Sequence, residues 1–240
     1  MKLYYILAFG TLLCSQLCSS ASAAMASEEP YNSGIVLRWK DCKQRIDGFG
    51  IAQAGWAKEL FAFKNREQVM DKMFGKDGLR LNILRGEIFP HYWENETDKD
   101  FNLNDDIHIE LSDSDFINKS DDLLRRGQLW LTLKAKNKYH ISKLVFSTWS
   151  APAWMKSNGK VSNGRLKTEC YTDFANYLAA FYNAYKSKGI APYAISPSNE
   201  PGYAAPWNSS LWTADEMGKF ITSYLGPTFR KENIPAKIIF

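Results

Sequence analysis

Ser198-Asn199-Glu200-Pro201 sets an amide and a carboxylate side by side, directly after Ala191-Pro-Tyr-Ala-Ile-Ser-Pro197, a run that reads as a short buried strand. A carboxylate at that point can protonate a glycosidic oxygen while the amide on its N-terminal side holds a sugar hydroxyl. On this reading Glu200 is a general acid/base of the retaining kind. Asn-Glu-Pro alone is a weak signal, because the tripeptide also arises by chance in loops. The strand before it and the aromatics around it strengthen it. A carboxyl that donates a proton near neutrality needs partly apolar walls, and Trp149 and Tyr203 are the side chains placed to supply them.

A retaining mechanism requires a second carboxyl about 5–5.5 Å from the first. Glu87, Glu94 and Glu96 follow a predicted strand, and no motif marks any of them as that partner. Other chemistries fit poorly. His91, His108 and His140 are isolated, with no paired spacing for zinc. Gly48, Gly50 and Gly55 do not form a dinucleotide fingerprint, since Gln53 stands where the third glycine belongs. No Gly-x-Ser-x-Gly elbow is present. The chemistry anticipated here calls for no metal and no organic cofactor.

The elements that must carry these residues alternate along the chain. Residues 35–39 and 45–50 read as strands, the second ending in glycines. Residues 64–74 have helical spacing, and 79–85 alternate like a strand. Residues 86–120 form a long polar loop, and 121–139 a helix interrupted at Gly127. Strand 143–148 is followed by the clearest helix, 170–187, with Phe174, Leu178, Phe181 and Tyr185 on one stripe. Strand 193–196 leads to Glu200. Thr213-Ala-Asp-Glu216 is a capping box opening a helix to about residue 225, and 236–240 begin another strand. Strand–helix alternation predicts an α/β fold with parallel strands, whose strand ends gather Arg85, Trp149 and Glu200 as a (β/α) barrel gathers its site.

The totals agree with a globular chain: 240 residues, 45% hydrophobic, 23% charged. Eight tryptophans suit a large core or a sugar-binding groove, since flat rings match the apolar faces of sugars. Net charge is +4, or +3 once Lys2 leaves with residues 1–23, and the basic residues are scattered. That pattern argues against nucleic acid as a partner. Residues 1–23 read as a signal peptide: Lys2, an apolar stretch from Leu3 to Leu17, and a cleavage site at Ala21-Ser22-Ala23. Secretion is therefore expected, with the periplasm as the bacterial alternative, and no later segment reads as a membrane span. Residues 24–33 read as a flexible leader. Cys42 and Cys170 remain after cleavage, as a disulfide or as two thiols. Asn95, Asn118 and Asn208 head glycosylation sequons.

Four segments together resemble glycoside hydrolase family 30: Asp47-Gly-Phe-Gly50, Leu81-Asn-Ile-Leu-Arg85, Ser147-Thr-Trp-Ser-Ala-Pro-Ala-Trp-Met-Lys156 and Ser196-Pro-Ser-Asn-Glu-Pro201. Their order and spacing match from about Gly34 onward, and that family includes xylanases, β-1,6-glucanases and glucosylceramidases. The resemblance implies a (β/α)8 TIM barrel, here about its first half (residues 46–240), with residues 34–45 as the N-terminal strand of a β-sandwich side domain. It implies Glu200 as the acid/base ending the fourth strand and Asn199 on the sugar 2-hydroxyl. Arg85 would end the second strand and support the nucleophile, and Trp149 would floor the sugar subsite. Tyr203 joins the substrate-binding candidates. Trp154, Trp207 and Trp212 suit packing under a loop as well as sugar contact. The nucleophile of the family ends the seventh strand, beyond the fifth with which this chain closes.

The reading that follows is a secreted retaining O-glycosidase acting on a β-linked cell-wall polysaccharide of the xylan or β-1,6-glucan type, monomeric at full length. The alternatives are a glucosylceramidase-like hydrolase and a non-catalytic or truncated carbohydrate-binding product.

Overall fold

The computed structural model describes residues 40–41, 43–53, 56–90, 93 and 123–240. The expected signal peptide, leader and first strand, Cys42, His91, His108, Glu94, Glu96 and the sequons at Asn95 and Asn118 lie outside the described residues. Two compact units are distinguished, Met1–Ile46 and Asp47–Phe240, and every element belongs to the second.

Five parallel strands stand side by side in sequence order: β1 (Gly50–Ala52), β2 (Ile83–Ile88), β3 (Lys143–Thr148), β4 (Ala194–Ser196) and β5 (Lys237–Ile238). Helices α1 (Ala57–Ala62) and α2 (Arg66–Phe74) connect β1 to β2, α3 (Leu123–Tyr139) precedes β3, and α4 (Tyr171–Ser187) precedes β4. Between β4 and β5 run α5 (Ala214–Phe220), a π-helical turn (Ile221–Leu225) and α6 (Gly226–Lys231). An all-parallel sheet with strands in sequence order and helical crossovers is one arc of a (β/α) barrel.

The two faces of the sheet differ. Gly86 lies on the helix side: a Cβ there would stand 2.6 Å from the Phe146 ring and 2.9 Å from Gln128 Oε1. Phe146 in turn packs on α4, its ring 5.1 Å from Phe181 and 5.0 Å from Tyr185. Leu84, Ile88 and Leu144 are buried on the same side. Strand alternation then turns Arg85 and Glu87 to the inner face. Register sets Arg85 beside Val145, and Glu87 beside Ser147, which pairs with Ser196.

β1 is short, so β2 outruns it. The last bond across that edge is from Gln53 N to Arg85 O (2.8 Å). The next residue needing partners, Glu87, finds them in one side chain: its N–H donates to Gln128 Oε1 (2.7 Å) and its carbonyl accepts from Gln128 Nε2 (2.8 Å). The amide of Gln128 thus stands in for the missing strand, as buried backbone groups require. Thr132, Gln53 and Tyr185 complete this buried network.

Several boundaries differ from the sequence expectations. β1 starts at Gly50 where 45–50 had been expected as the strand, because Asn82 closes the ladder from below. Its Oδ1 accepts from Phe49 N (3.0 Å) and its N–H donates to Phe49 O (2.9 Å). β2 runs 83–88 instead of 79–85. Arg80 is in the left-handed region (φ 52°), which breaks the alternation before Ile83. Arg85 therefore sits mid-strand, and Glu87 is nearer the strand's end. α3 runs unbroken through Gly127, since helix packing outweighs about 1 kcal/mol of glycine propensity. The Thr213 capping box forms as expected. Its helix continues to Lys231 through the π-helical turn, where Gly226 N bonds to Ile221 O ahead of Pro227.

Candidate active site

The middle of β2 and the segments that follow β3 and β4 bring four side chains into one linked row. Arg85 Nη2 donates to Asn199 Oδ1 at 2.6 Å. Asn199 Nδ2 donates to Glu200 Oε2 at 3.2 Å. The guanidinium carbon of Arg85 lies 4.6 Å from the centroid of the Trp149 ring. Only one orientation of the Asn199 amide serves both neighbours, with oxygen toward the cation and nitrogen toward the carboxylate. Desolvation draws Arg85 below its ordinary value, and the charges of Glu87 and Glu200 pull it back up. The guanidinium is thus the positive centre between two carboxyls.

Glu200 itself is exposed and holds φ at 45°, in the left-handed region that disfavours side chains. Its surroundings over-determine that conformation. Asn199 N donates to Thr148 O (2.6 Å), tying the residue before it to the end of β3. Tyr203 N donates to Glu200 O (2.9 Å), closing the turn after it. Strain held this way is a common mark of working sites.

Two buried ionisable groups lie below the rim of the sheet. Glu87 is 9% exposed, and burial pushes its carboxyl up to about 7 against the opposing influences of the Asn208 side chain and the charge of Arg85. Lys156 is fully buried and lowered to about 8 by burial alone. Its Nζ donates to Ser209 O (2.7 Å) and Ser150 Oγ (3.0 Å), so it satisfies both partners even as a neutral amine. Tyr203 and Trp207 stand outward on the loop after β4, 51% and 55% exposed, with ring centroids 6.2 Å apart.

Residues 46–239 match the glycosyl hydrolase family 30 TIM-barrel domain. The chain belongs to that family. It is 29% identical over 224 residues to putative glucosylceramidase 3 of Caenorhabditis elegans, covering 88% of this chain and 41% of the relative. It is 27% identical to glucuronoxylanase XynC of Bacillus subtilis, covering 90% and 43%. Among solved structures, the endo-β1,6-glucanase BT3312 superposes with a TM-score of 0.66 at 23% identity, covering 81% of this chain and 44% of that one. The family 30 xylanase C from Talaromyces cellulolyticus gives 0.65 at 24%, covering 81% and 46%. The chain therefore spans under half the length of these relatives, and its sheet is a partial TIM barrel.

Of the residues predicted for this family 30 site, Arg85, Trp149, Asn199 and Glu200 come together, and Tyr203 stands on the same loop as Glu200. Trp154 and Trp212 do not join them. Trp212 is 8% exposed among Tyr171, Phe174 and Phe220, and Trp154 packs on the core with Nε1 donating to Trp93 O. The apolar wall expected from Tyr203 also differs, for that ring is turned to solvent. From the sequence Glu87 is only a carboxyl that no motif marks as the partner, and Lys156 only a member of a motif. The alternation that puts Arg85 inward puts Glu87 inward too, so that signal was available once the strand was placed correctly. Cys170 is buried.

Proposed function

We propose that this chain carries the acid/base half of a secreted retaining β-glycosidase. What supports the reading is the continuous link Trp149–Arg85–Asn199–Glu200 at one end of the sheet. In a polypeptide that also carries the remaining barrel strands, a carboxylate from the far side attacks the anomeric carbon. Glu200 gives its proton to the leaving oxygen, then takes one from the water that releases the glycosyl-enzyme. Asn199, already oriented by Arg85, offers an N–H to the sugar hydroxyl, and Trp149 supplies a flat floor. The open sheet edges at β1 and β5, with Phe49 and Phe240 69% and 87% exposed, are where further strands would close the barrel.

The substrate class we favour is a β-linked polysaccharide. The exposed pair Tyr203 and Trp207 beside Glu200 suits stacking against sugar rings on the leaving-group side. The apolar stretch from Leu3 to Leu17 with Ala21-Ser22-Ala23 supports export. Among the described residues no helix is long and apolar enough to cross a membrane.

The test is Glu200→Ala in the complete polypeptide, assayed with and without azide. Hydrolysis of xylan, β-1,6-glucan or glucosylceramide should fall by about 10²-fold or more. Azide should restore turnover of a dinitrophenyl glycoside and yield the β-glycosyl azide. Near-normal hydrolysis by this variant removes Glu200 from the mechanism. The wild type's preference among the three substrates separates the polysaccharide reading from the glycolipid one, and inertness toward all three supports a binding role.

A further inference from the structure

The segment 201–212, which follows Glu200, closes on itself: Trp212 N donates to Pro201 O (2.9 Å). Trp212 seats that closed end in the core, among Tyr171, Phe174 and Phe220. Tyr203 and Trp207 face solvent from the loop so formed. Its inner side is organised by Ser209, every polar atom of which is engaged. The N–H donates to Val161 O (3.0 Å). The hydroxyl accepts from Asn163 N (2.9 Å) and shares its proton between the carbonyl oxygens of Ala205 (2.9 Å) and Trp207 (3.1 Å). The carbonyl accepts from Lys156 Nζ (2.7 Å).

Lys156 comes from the loop after β3, and its Nζ also donates to Ser150 Oγ (3.0 Å). Ser150 directly follows Trp149. One amine therefore joins the residue after the floor tryptophan to a residue two places from Trp207. A fully buried amine is costly to desolvate, and methionine would fill the same volume without that cost. What methionine lacks is the pair of donors that ties the two loops together. Rings that touch successive sugars of one chain must keep a set separation, because the glycosidic link fixes the sugar repeat.

We propose that Lys156 is a positioning residue for the leaving-group side of the substrate: through Ser209 it holds Trp207 at a set separation from Trp149. The sugar beyond the cleaved bond then meets a platform whose ordering cost is already met by the fold. The inference rests on the reading of Tyr203 and Trp207 as a leaving-group-side sugar contact.

The probes are xylohexaose and β-1,6-linked glucohexaose, which put sugars on both sides of the cleaved bond. Against them stand the 4-nitrophenyl β-glycosides of xylobiose and gentiobiose, which put no sugar beyond it. With the complete polypeptide, Lys156→Met should raise KM for the hexasaccharide by about 5-fold, with the loss falling on KM and not on kcat. The ratio of hexasaccharide to nitrophenyl kcat/KM should fall by the same factor. Trp207→Ala should lower that ratio by about 10-fold. The double variant should be no worse than Trp207→Ala, since the ring that Lys156 places is then gone. Should Lys156→Met fail to fold, Ser209→Ala decides by the same ratio, because it keeps the lysine and removes the hydroxyl link to Trp207. An unchanged ratio, equal losses on both kinds of probe, or losses that multiply in the double variant overturn the proposal. Trp207→Ala is the control. If it leaves the ratio unchanged, the leaving-group-side reading itself falls. If it lowers the ratio and Lys156→Met does not, only the positioning role falls. A wild type inert toward all four probes sinks both.

Discussion

Arg85 Nη2 and Asn199 Oδ1 are joined at 2.6 Å across the intervening strand β3. A planar guanidinium can make this bond while its face lies 4.6 Å from the Trp149 centroid, a combination worth about 0.5–1 kcal/mol for the stacked contact alone. Lysine has the charge without the plane or the fork. Arg85→Lys should therefore lower kcat/KM of the complete polypeptide by about 10²-fold through misorientation of Asn199 and Glu200. Steady-state kinetics check this, with thermal unfolding to show that the fold survives. Retention of more than half the wild-type kcat/KM would mean that charge alone is enough.

Backbone strain at Glu200 makes a separate prediction about stability. The residue holds φ at 45°, where any Cβ is disfavoured and glycine is not. Glu200→Ala and Glu200→Gly both remove the carboxylate, so both should lose the proton-donor function. Glycine should nonetheless be the more stable of the two by about 1 kcal/mol, opposite to the usual order in regular structure. Denaturant unfolding of the two variants decides it. Alanine matching or exceeding glycine would show that the left-handed backbone is not held in solution.

The pH dependence of stability follows from Glu87. Its folded value, about 7, lies above its ordinary 4.5, because burial disfavours the anion. Below 4.5 both states carry the proton and the buried neutral carboxyl is tolerated in full. As pH rises from 4.5 to about 7 the unfolded chain ionises first, so stability is lost across that window and is flat above it. The interval corresponds to on the order of 3 kcal/mol. Glu87→Gln should abolish this slope. Denaturant midpoints between pH 4 and pH 8 measure it, and an unchanged slope in the variant would assign it elsewhere.

Lys156 gives the mirror case at alkaline pH. Its folded value is lowered from 10.5 to about 8 by burial. The charged amine is disfavoured in the folded state below about 8, and as pH rises from there to 10.5 the unfolded chain holds the proton longer. Stability contributed by this site should therefore rise over that window. Lys156→Met should flatten the rise. It should also loosen the loop after β4, because Ser209 O and Ser150 Oγ lose their donor. Hydrogen exchange of residues 200–212 reads the second effect.

The sequence was most legible where side-chain pattern and backbone agree. Lys143–Thr148 came out with both bounds right, since a run of buried strand formers between turns leaves little choice. The stripe of Phe174, Leu178, Phe181 and Tyr185 gave α4, and Thr213 with Glu216 gave the start of α5. The strands expected at 45–50 and 79–85 are shifted in the structure because their bounds depend on Asn82, which closes the ladder below, and on the left-handed Arg80. No local pattern announces either. Arg85, Trp149, Asn199 and Glu200 were found through motifs, whereas Glu87 and Lys156 were not. Their surroundings depend on Gln128 and Ser209, distant partners that only the folded chain supplies.

Gln128 is the residue whose loss should reach the site from the opposite side of the sheet. Its amide satisfies both backbone groups of Glu87 where β1 has ended, and also donates to Tyr185 Oη at 3.0 Å. Leucine fits the volume and none of these partners. Gln128→Leu should leave a buried N–H and a buried carbonyl unpaired, at a cost of about 2–5 kcal/mol. Glutamate at the same position restores the acceptor for Glu87 N while adding a buried charge, and should be no better. Hydrogen exchange at the Glu87 amide is the direct measurement. In the wild type this amide should be among the slowest, and in Gln128→Leu it should exchange at the rate of an exposed edge strand. A protected Glu87 amide in the leucine variant would mean that another group, or a shifted β1, fills the gap.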